Sequence, residues 1–567
     1  MASSSRSVQK QPGSAHCLDA FIIALNQASD GTRCWYMSTK ELQLASLEFC
    51  TACRSVPMLH VKVEEGTPTR LWMGAPARET RSAKRLSATR VPVVRARGVT
   101  WKLSASALQS TGEALSKAKR FTFGDGFNED VRGVKWPSEL KQIQFGSFNQ
   151  PIAAIAWPHS LETLVFGWKF NQPIFAVAWP ASLQQLILGN EFNQPIGGVK
   201  WPASLRELTL GEDFNQPITG LSWPTSLTTL NAFGVFNQAI DNVTWPGSLK
   251  EVEFGYEFNQ PIGGVQWPAS LQHLTIQSDF EHLVGDIKWP PSLQILELGI
   301  YFNQPVEQVR WPQSLLELHF GAEFNQPIHG VQWPASLQHL TIQSDFEHLV
   351  GDIKWPPSLQ ILELGIYFNQ PVEQVRWPQS LLELYFGRFF NQPIDGAAWP
   401  PSLVKLYFGR DFNQPIDTVA WPPSLQELKF GMRFNQPIAD VCWPDSLQEI
   451  SFTGEWERWM HGKKLTLCQQ EHFGVLSYFN RPITRVTWPT SLLKVSFGDF
   501  FDQSLIGVAW PPSLRELAFS RDFSLPSDSF EWPASLEKLT IARRPNEPLP
   551  TWPGVRVSGI WEVYWGS

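Results

Sequence analysis

The sequence predicts a repeat solenoid, mainly β, of about 19–20 turns of 22 residues, preceded by a region of different character. Three observations carry this. Trp-Pro pairs recur from Trp136 to Trp443, in steps of 22 after a first step of 21, and return at Trp488, Trp510 and Trp532 with a weak echo at Trp552. The shared register is F-N-Q-P-I-x-x-V-x-W-P-x-S-L-x-x-L-x-F-G-x-x, as in residues 192–213. The composition, with 27 Trp, 38 Phe and 45 Pro against 8 Tyr, speaks against long helices, because each interior Pro costs a helix ~3 kcal/mol.

Taken in order, residues 1–114 form an N-terminal region, partly helical or disordered. FIIALNQ and STKELQLASLEF have the look of short helices, and residues 77–98 are a basic stretch read as a linker. The run SALQSTGEALSKAKRFTFG is expected to include a helix that caps the first turn. Residues 115–542 are the solenoid. Each repeat holds two half-patterns, I-x-x-V-x-W and L-x-x-L-x-F, whose last two apolar residues lie two apart, the spacing of one strand face. Gly and Pro punctuate between them, and Trp before Pro is pushed toward extended geometry. One or two short parallel strands per turn follow. Burying one repeat's apolar side chains does not offset the entropy of ordering it, so only stacked turns fold.

The Asn after Phe is expected to hydrogen-bond backbone in its own turn and the next, forming a ladder. At residues 279–289 Phe and Trp persist while Asn, Gln and Pro vanish, which fits a rebuilt corner around a retained core. Residues 454–478 break the grid and are either a decayed repeat or a surface insertion. Residues 543–567 are aromatic and are expected to cap the far end.

Net charge is −7, so no global basic footprint for nucleic acid exists. No apolar run is long enough to predict a membrane span. Six cysteines in 567 residues do not make a disulfide scaffold and point to a reducing compartment. A cytoplasmic location is expected, with an organelle as the alternative from the Ser-, Arg- and Lys-containing start.

The runs FNQPI and WPxSLxxLxFG resemble the FNIP repeat, a 22-residue motif of the leucine-rich-repeat type, over roughly residues 115–542. The family's usual wording has Leu-Pro where this chain has Trp-Pro. The resemblance implies a right-handed, leucine-rich-repeat-like coil with an interaction surface. Some relatives carry an F-box or a protein kinase; neither signature is found in this sequence.

In that geometry the residues flanking the second Leu stand on the strand face and form stripes along the stack. The stripe Tyr385, Arg388, Lys405, Tyr407, Arg410, Lys429 and Arg433 joins aromatics to cations, which suits an acidic peptide, a glycan or a phosphorylated partner. An ordinary solvated face is the alternative, since Glu383 and Glu427 lie nearby. The acidic set Glu207, Glu212, Asp213, Glu251, Glu253 and Glu257 recurs as repeat positions and is not expected to be a catalytic pair. His273, His282, His339 and His348 tempt a metal reading. However, residues 264–318 are identical to 330–384, an offset of 66, so copies lie ~14 Å apart along the stack and cannot share an ion. The single C-x-x-C of Cys50 and Cys53 is weak even with Cys34 and His60. No metal and no cofactor is expected. The function expected is a non-enzymatic protein–protein interaction scaffold with an unidentified protein partner; the alternative is an exported carbohydrate- or surface-binding protein.

Overall fold

The computed structural model describes residues 118–543, apart from 125, 233, 278, 344, 454–456, 461–462, 467–476, 520–522 and 525–531. It also describes strands β1 (Val61–Val63), β2 (Val99–Trp101) and β24 (Arg556–Trp561). The expected N-terminal helices, the basic linker 77–98, Cys34, Cys50, Cys53 and His60 lie outside the described residues, as does most of the C-terminal cap. The chain divides into two units, residues 1–238 with 242–249, and residues 239–241 with 250–567.

In the first unit the repeat strands are β3 (Arg120–Thr122), β4 (Gln142–Gln144), β5 (Thr163–Val165), β6 (Gln185–Ile187), β7 (Glu207–Thr209) and β8 (Thr229–Ala232). Each pairs in parallel with the next, with equivalent residues opposite, as in Leu186↔Leu208. β2 joins β3 in parallel through Trp101↔Phe121 and pairs antiparallel with β1.

Residues 192–213 show why the register takes this shape. Phe192, Ile196, Val199, Leu205, Leu208 and Leu210 are all buried, while Trp201 is half-buried. Only the second Leu sits on a strand, so there is one strand per turn. The Trp-Pro half is a tight bend in which the Leu205 N–H donates to the Pro202 carbonyl at 3.1 Å. The expected Asn ladder is present: Asn193 Oδ1 accepts the Asn215 N–H at 3.0 Å and Gln216 Nε2 at 2.9 Å. Ser204 Oγ donates to the Leu183 carbonyl at 2.6 Å, so the repeated Ser also bonds to the preceding turn. Phe170, Phe192, Phe214 and Phe236 stack in a column at 6.1 Å.

The second unit continues the pattern with β9 (Glu251–Phe254), β10 (His273–Ile276), β11 (Ile295–Glu297), β12 (Glu317–Phe320), β13 (His339–Ile342), β14 (Ile361–Glu363) and β15 (Glu383–Tyr385). There follow β16 (Lys405–Tyr407), β17 (Glu427–Lys429), β18 (Glu449–Ser451), β21 (Lys494–Ser496), β22 (Glu516–Phe519) and β23 (Lys538–Arg543). β19 (Glu457–Met460) and β20 (Lys463–Thr466) form a separate antiparallel hairpin. β18 pairs directly with β21 through Ile450↔Val495, so no other strand of the stack lies between them. Phe479 re-enters the phenyl column between Phe434 and Phe501, at 6.1 Å from each. The described residues thus carry 19 parallel repeat strands, β3–β18 and β21–β23, one per turn, in line with the period.

At the rebuilt corner His282 takes the place of Gln, with its Nε2 3.1 Å from the Asn259 carbonyl, and His348 does the same at Asn325. These two histidines are corner residues. Replacing Asn413 by Ala would leave the partly buried Asn435 N–H without its 2.9 Å acceptor and Gln436 without one of its two contacts. The expected loss is ~1–3 kcal/mol, read as a lower urea midpoint with an unchanged slope.

Candidate functional site

The strand face of the second unit carries a column of polar side chains at the position after the central Leu. Thr275, Glu297, His319, Thr341, Glu363, Tyr385 and Tyr407 are all buried there. The same position in the first unit is less covered, with Gln144 exposed and Thr209 half-buried.

Of the aromatic and cationic stripe, Tyr385 and Tyr407 do not stand out toward a partner: they are only 6% and 2% exposed. Their rings meet edge to face at 4.7 Å, and the Tyr385 hydroxyl donates to Glu383. Lys429 Nζ lies 4.7 Å above the Tyr407 ring and 2.7 Å from Glu427. Lys405 is 2.7 Å from Glu383, and Arg433 is 3.3 Å from Asp411, which Arg410 also approaches at 3.9 Å. Arg388 lies over Phe389 at the corner, 5.5 Å from the ring. The cations are thus neutralised within the molecule more than the sequence suggests.

The position before the central Leu carries a ladder of charges: Glu383, Lys405, Glu427, Glu449, Lys494, Glu516 and Lys538 are successive cross-strand neighbours. All are partly exposed, and Lys405, Glu427, Glu449, Lys494 and Glu516 line a shallow groove of about 330 Å³. Burial alone would raise the Glu427 carboxyl, but hydrogen bonds from Lys429 and Tyr407 hold it below its ordinary value. Lys494 pairs with Glu449 at 2.7 Å while remaining 39% exposed. Changing Lys494 to Met is expected to cost under ~1 kcal/mol, because solvent screens such a pair; a larger loss in a urea titration would contradict this.

The acidic set does not converge. Glu207 stands on its strand, accepting from Gln185 at 2.7 Å, while Glu212, Asp213 and Glu257 are exposed at corners.

The histidines divide differently from the expectation. Glu317, His319 and His339 offer ligand atoms that all lie within 4.8 Å of one another. His319 had no part in the argument from duplicated histidines, because its counterparts 66 residues away are Glu253 and Tyr385. It sits 20 residues before His339, on the other side of the central Leu, and so becomes its diagonal neighbour. The signal was there as a spacing of 20, two short of a full repeat. His319 and His339 are 8% and 5% exposed. A hydrogen bond from His319 is the main cause that holds the Glu317 carboxyl below its ordinary value.

His273 occupies the equivalent place in the earlier copy, 3.6 Å from Glu297. Burial disfavours its charged form, but Glu297, Glu251 and Glu253 together raise its pKa above 6.5. A raised histidine stabilises the fold fully below its unfolded pKa and loses that contribution as pH rises through the folded one. His273→Gln is therefore expected to narrow the stability gap between pH 5 and pH 8 in urea titrations.

These features define the class: a parallel β-solenoid of the leucine-rich-repeat type, with one strand per turn and a polar strand face. The FNIP repeat matches residues 127–169, 148–191, 192–231, 236–279, 353–389, 390–432 and 420–454, and the chain belongs to the FNIP-repeat family. It is similar to CroV588, described as a novel circular LRR protein, at 30% identity and a TM-score of 0.59, over 81% of this chain and 74% of that one. More distant is the internalin InlF of Listeria monocytogenes, at 15% identity and TM-score 0.37, over 58% and 93% of the two chains. The mouse RP105/MD-1 complex gives 14% identity and TM-score 0.37, over 76% and 87%. No curated protein matches the sequence. Among the described residues no helix is long and apolar enough to cross a membrane.

Proposed function

We propose that the protein is a non-enzymatic protein-interaction scaffold, cytoplasmic, whose binding surface is the strand face of the second unit. The observation that carries this reading is the charge ladder from Glu383 to Lys538. The frame around it repeats almost unchanged, while the ladder positions vary in sign from turn to turn. A rigid frame presenting a variable row of charges selects a partner by electrostatic complementarity. The partner class is a protein with its own mixed charges. A glycan is less well supported, because the face tyrosines that would stack on sugar rings are buried.

The test uses the full chain as bait in native extract, beside a variant with Lys405→Glu and Lys494→Glu and a control with Phe175→Ala, whose ring is exposed away from the strands. Loss of the same proteins from the first variant alone, at unchanged melting temperature, supports the reading. An identical bound set in all three would contradict it.

A further inference from the structure

The face that carries this ladder also holds a different chemistry three turns before Glu383. We propose that Glu317, His319 and His339 form a binding site for a divalent transition-metal ion of the zinc class, clamped between β12 and β13.

The geometry carries the argument. Glu317 and His339 face each other across the two strands, and His319 lies diagonally between them. His319 Nε2 is 3.4 Å from Glu317 Oε2, and His339 Nδ1 is 4.0 Å from the same oxygen. A tetrahedral zinc site, with bonds of ~2.0–2.1 Å, sets its donors ~3.3–3.4 Å apart, so small side-chain adjustments complete the set. Two imidazoles and one carboxylate match the donors that zinc takes at sites with an open fourth position.

The outward nitrogens are held as ligand histidines require. His319 Nδ1 is 3.0 Å from Thr341 Oγ1. His339 Nε2 is 3.2 Å from the same hydroxyl and 3.5 Å from Glu363 Oε1. A histidine that donates its second N–H to a carboxylate or hydroxyl turns the lone pair of its first nitrogen toward the metal and becomes more basic. Glu363 is itself buried, and its Oε1 carries no hydrogen bond, so it acts on His339 as a nearby charge. A cation would replace the hydrogen bond from His319 to Glu317, with release of the Nε2 proton, while both outward nitrogens keep donating. Among the described residues this is the single grouping of its kind.

The chain also contains its own control. The duplicated segment repeats His273, Thr275 and Glu297 in the places of His339, Thr341 and Glu363, and Glu251 stands for Glu317. Only His319 differs, replaced by Glu253, which accepts from Gln277 at 2.6 Å. One residue therefore separates a complete donor set from an incomplete one, on strands of the same design.

The experiment strips the full chain with a chelator and titrates Zn²⁺ in competition with a chromophoric chelator. Wild type, His319→Glu, Glu253→His and Glu363→Gln are compared, so that metal held by cysteines elsewhere in the chain cancels. His319→Glu is expected to lose one equivalent, and Glu253→His to gain one. Glu363→Gln should keep the stoichiometry and weaken binding ~10–100-fold. Co²⁺ should show visible bands in wild type that His319→Glu lacks. Equal stoichiometry and affinity in wild type, His319→Glu and Glu253→His would overturn the proposal. So would a loss in His319→Glu accompanied by lost secondary structure and no gain in Glu253→His.

Discussion

Gly409→Ala should be among the most damaging single changes in the protein. A Cβ at this position would stand 1.7 Å from the Gly387 carbonyl oxygen and 2.4 Å from its carbon, with Arg388 Cα at 2.9 Å. All three are backbone atoms of the preceding turn, so no side chain can swing aside. Gly431 repeats the approach against the Gly409 oxygen at 1.8 Å, which places this residue in a column of close backbone contacts. Relief requires the two turns to separate, which would strain the neighbouring 2.9 Å bond from the Phe386 N–H to the Tyr407 carbonyl. The expected loss is at or beyond the upper end of the ~1–3 kcal/mol typical of overpacking. Hydrogen exchange would show it locally, with protection lost first in β15 and β16. Unchanged exchange there would mean that the turns can part at little cost.

The second large effect is expected from Phe412→Ala. Its ring is fully buried, 6.0 Å from Phe390 and 6.1 Å from Phe434 in the same column, and 4.1 Å from Phe408 in its own turn. Removing it opens a cavity flanked by rings that cannot collapse into it without breaking their own stacks. A loss of ~3–5 kcal/mol follows. Urea denaturation should show a lower midpoint, and a loss below 1 kcal/mol would mean that the column closes up around the gap.

The frame was legible because its determinants repeat. Phe, Ile, Leu and Trp recur at fixed positions, Asn has one geometry that serves two turns, and the second Leu marks the strand. The strand face was harder to read, for a physical reason. Equivalent phenyl rings are displaced by the same step as their turns, and that step is 6.0–6.1 Å at Phe390, Phe412 and Phe434. Paired strands lie only ~4.8 Å apart. Each turn in the second unit is thus thicker at the Phe corner than at the strand, and the side chains on the strand face are crowded together. Tyr385 and Tyr407 are read from sequence as outward-facing, yet they pack against each other and their neighbours. The same crowding brings His319 within reach of His339. Period analysis compares like positions, whereas diagonal neighbours belong to different ones.

The hairpin between β18 and β21 bears on how such a chain can lengthen. Asn480 donates its N–H to Asn435 Oδ1 at 3.1 Å across 45 residues, where its counterparts bridge 22. The entropy of closing a loop grows only with the logarithm of its length, so this doubling costs ~0.6 kcal/mol. Losing a single rung of the Asn ladder costs more than that, ~1–3 kcal/mol. Inserted segments at this corner are therefore nearly neutral to the stack, provided the chain returns with a Phe and an Asn in step. Tolerance to new material lies in the connections, while Gly and Phe columns forbid change a few residues away.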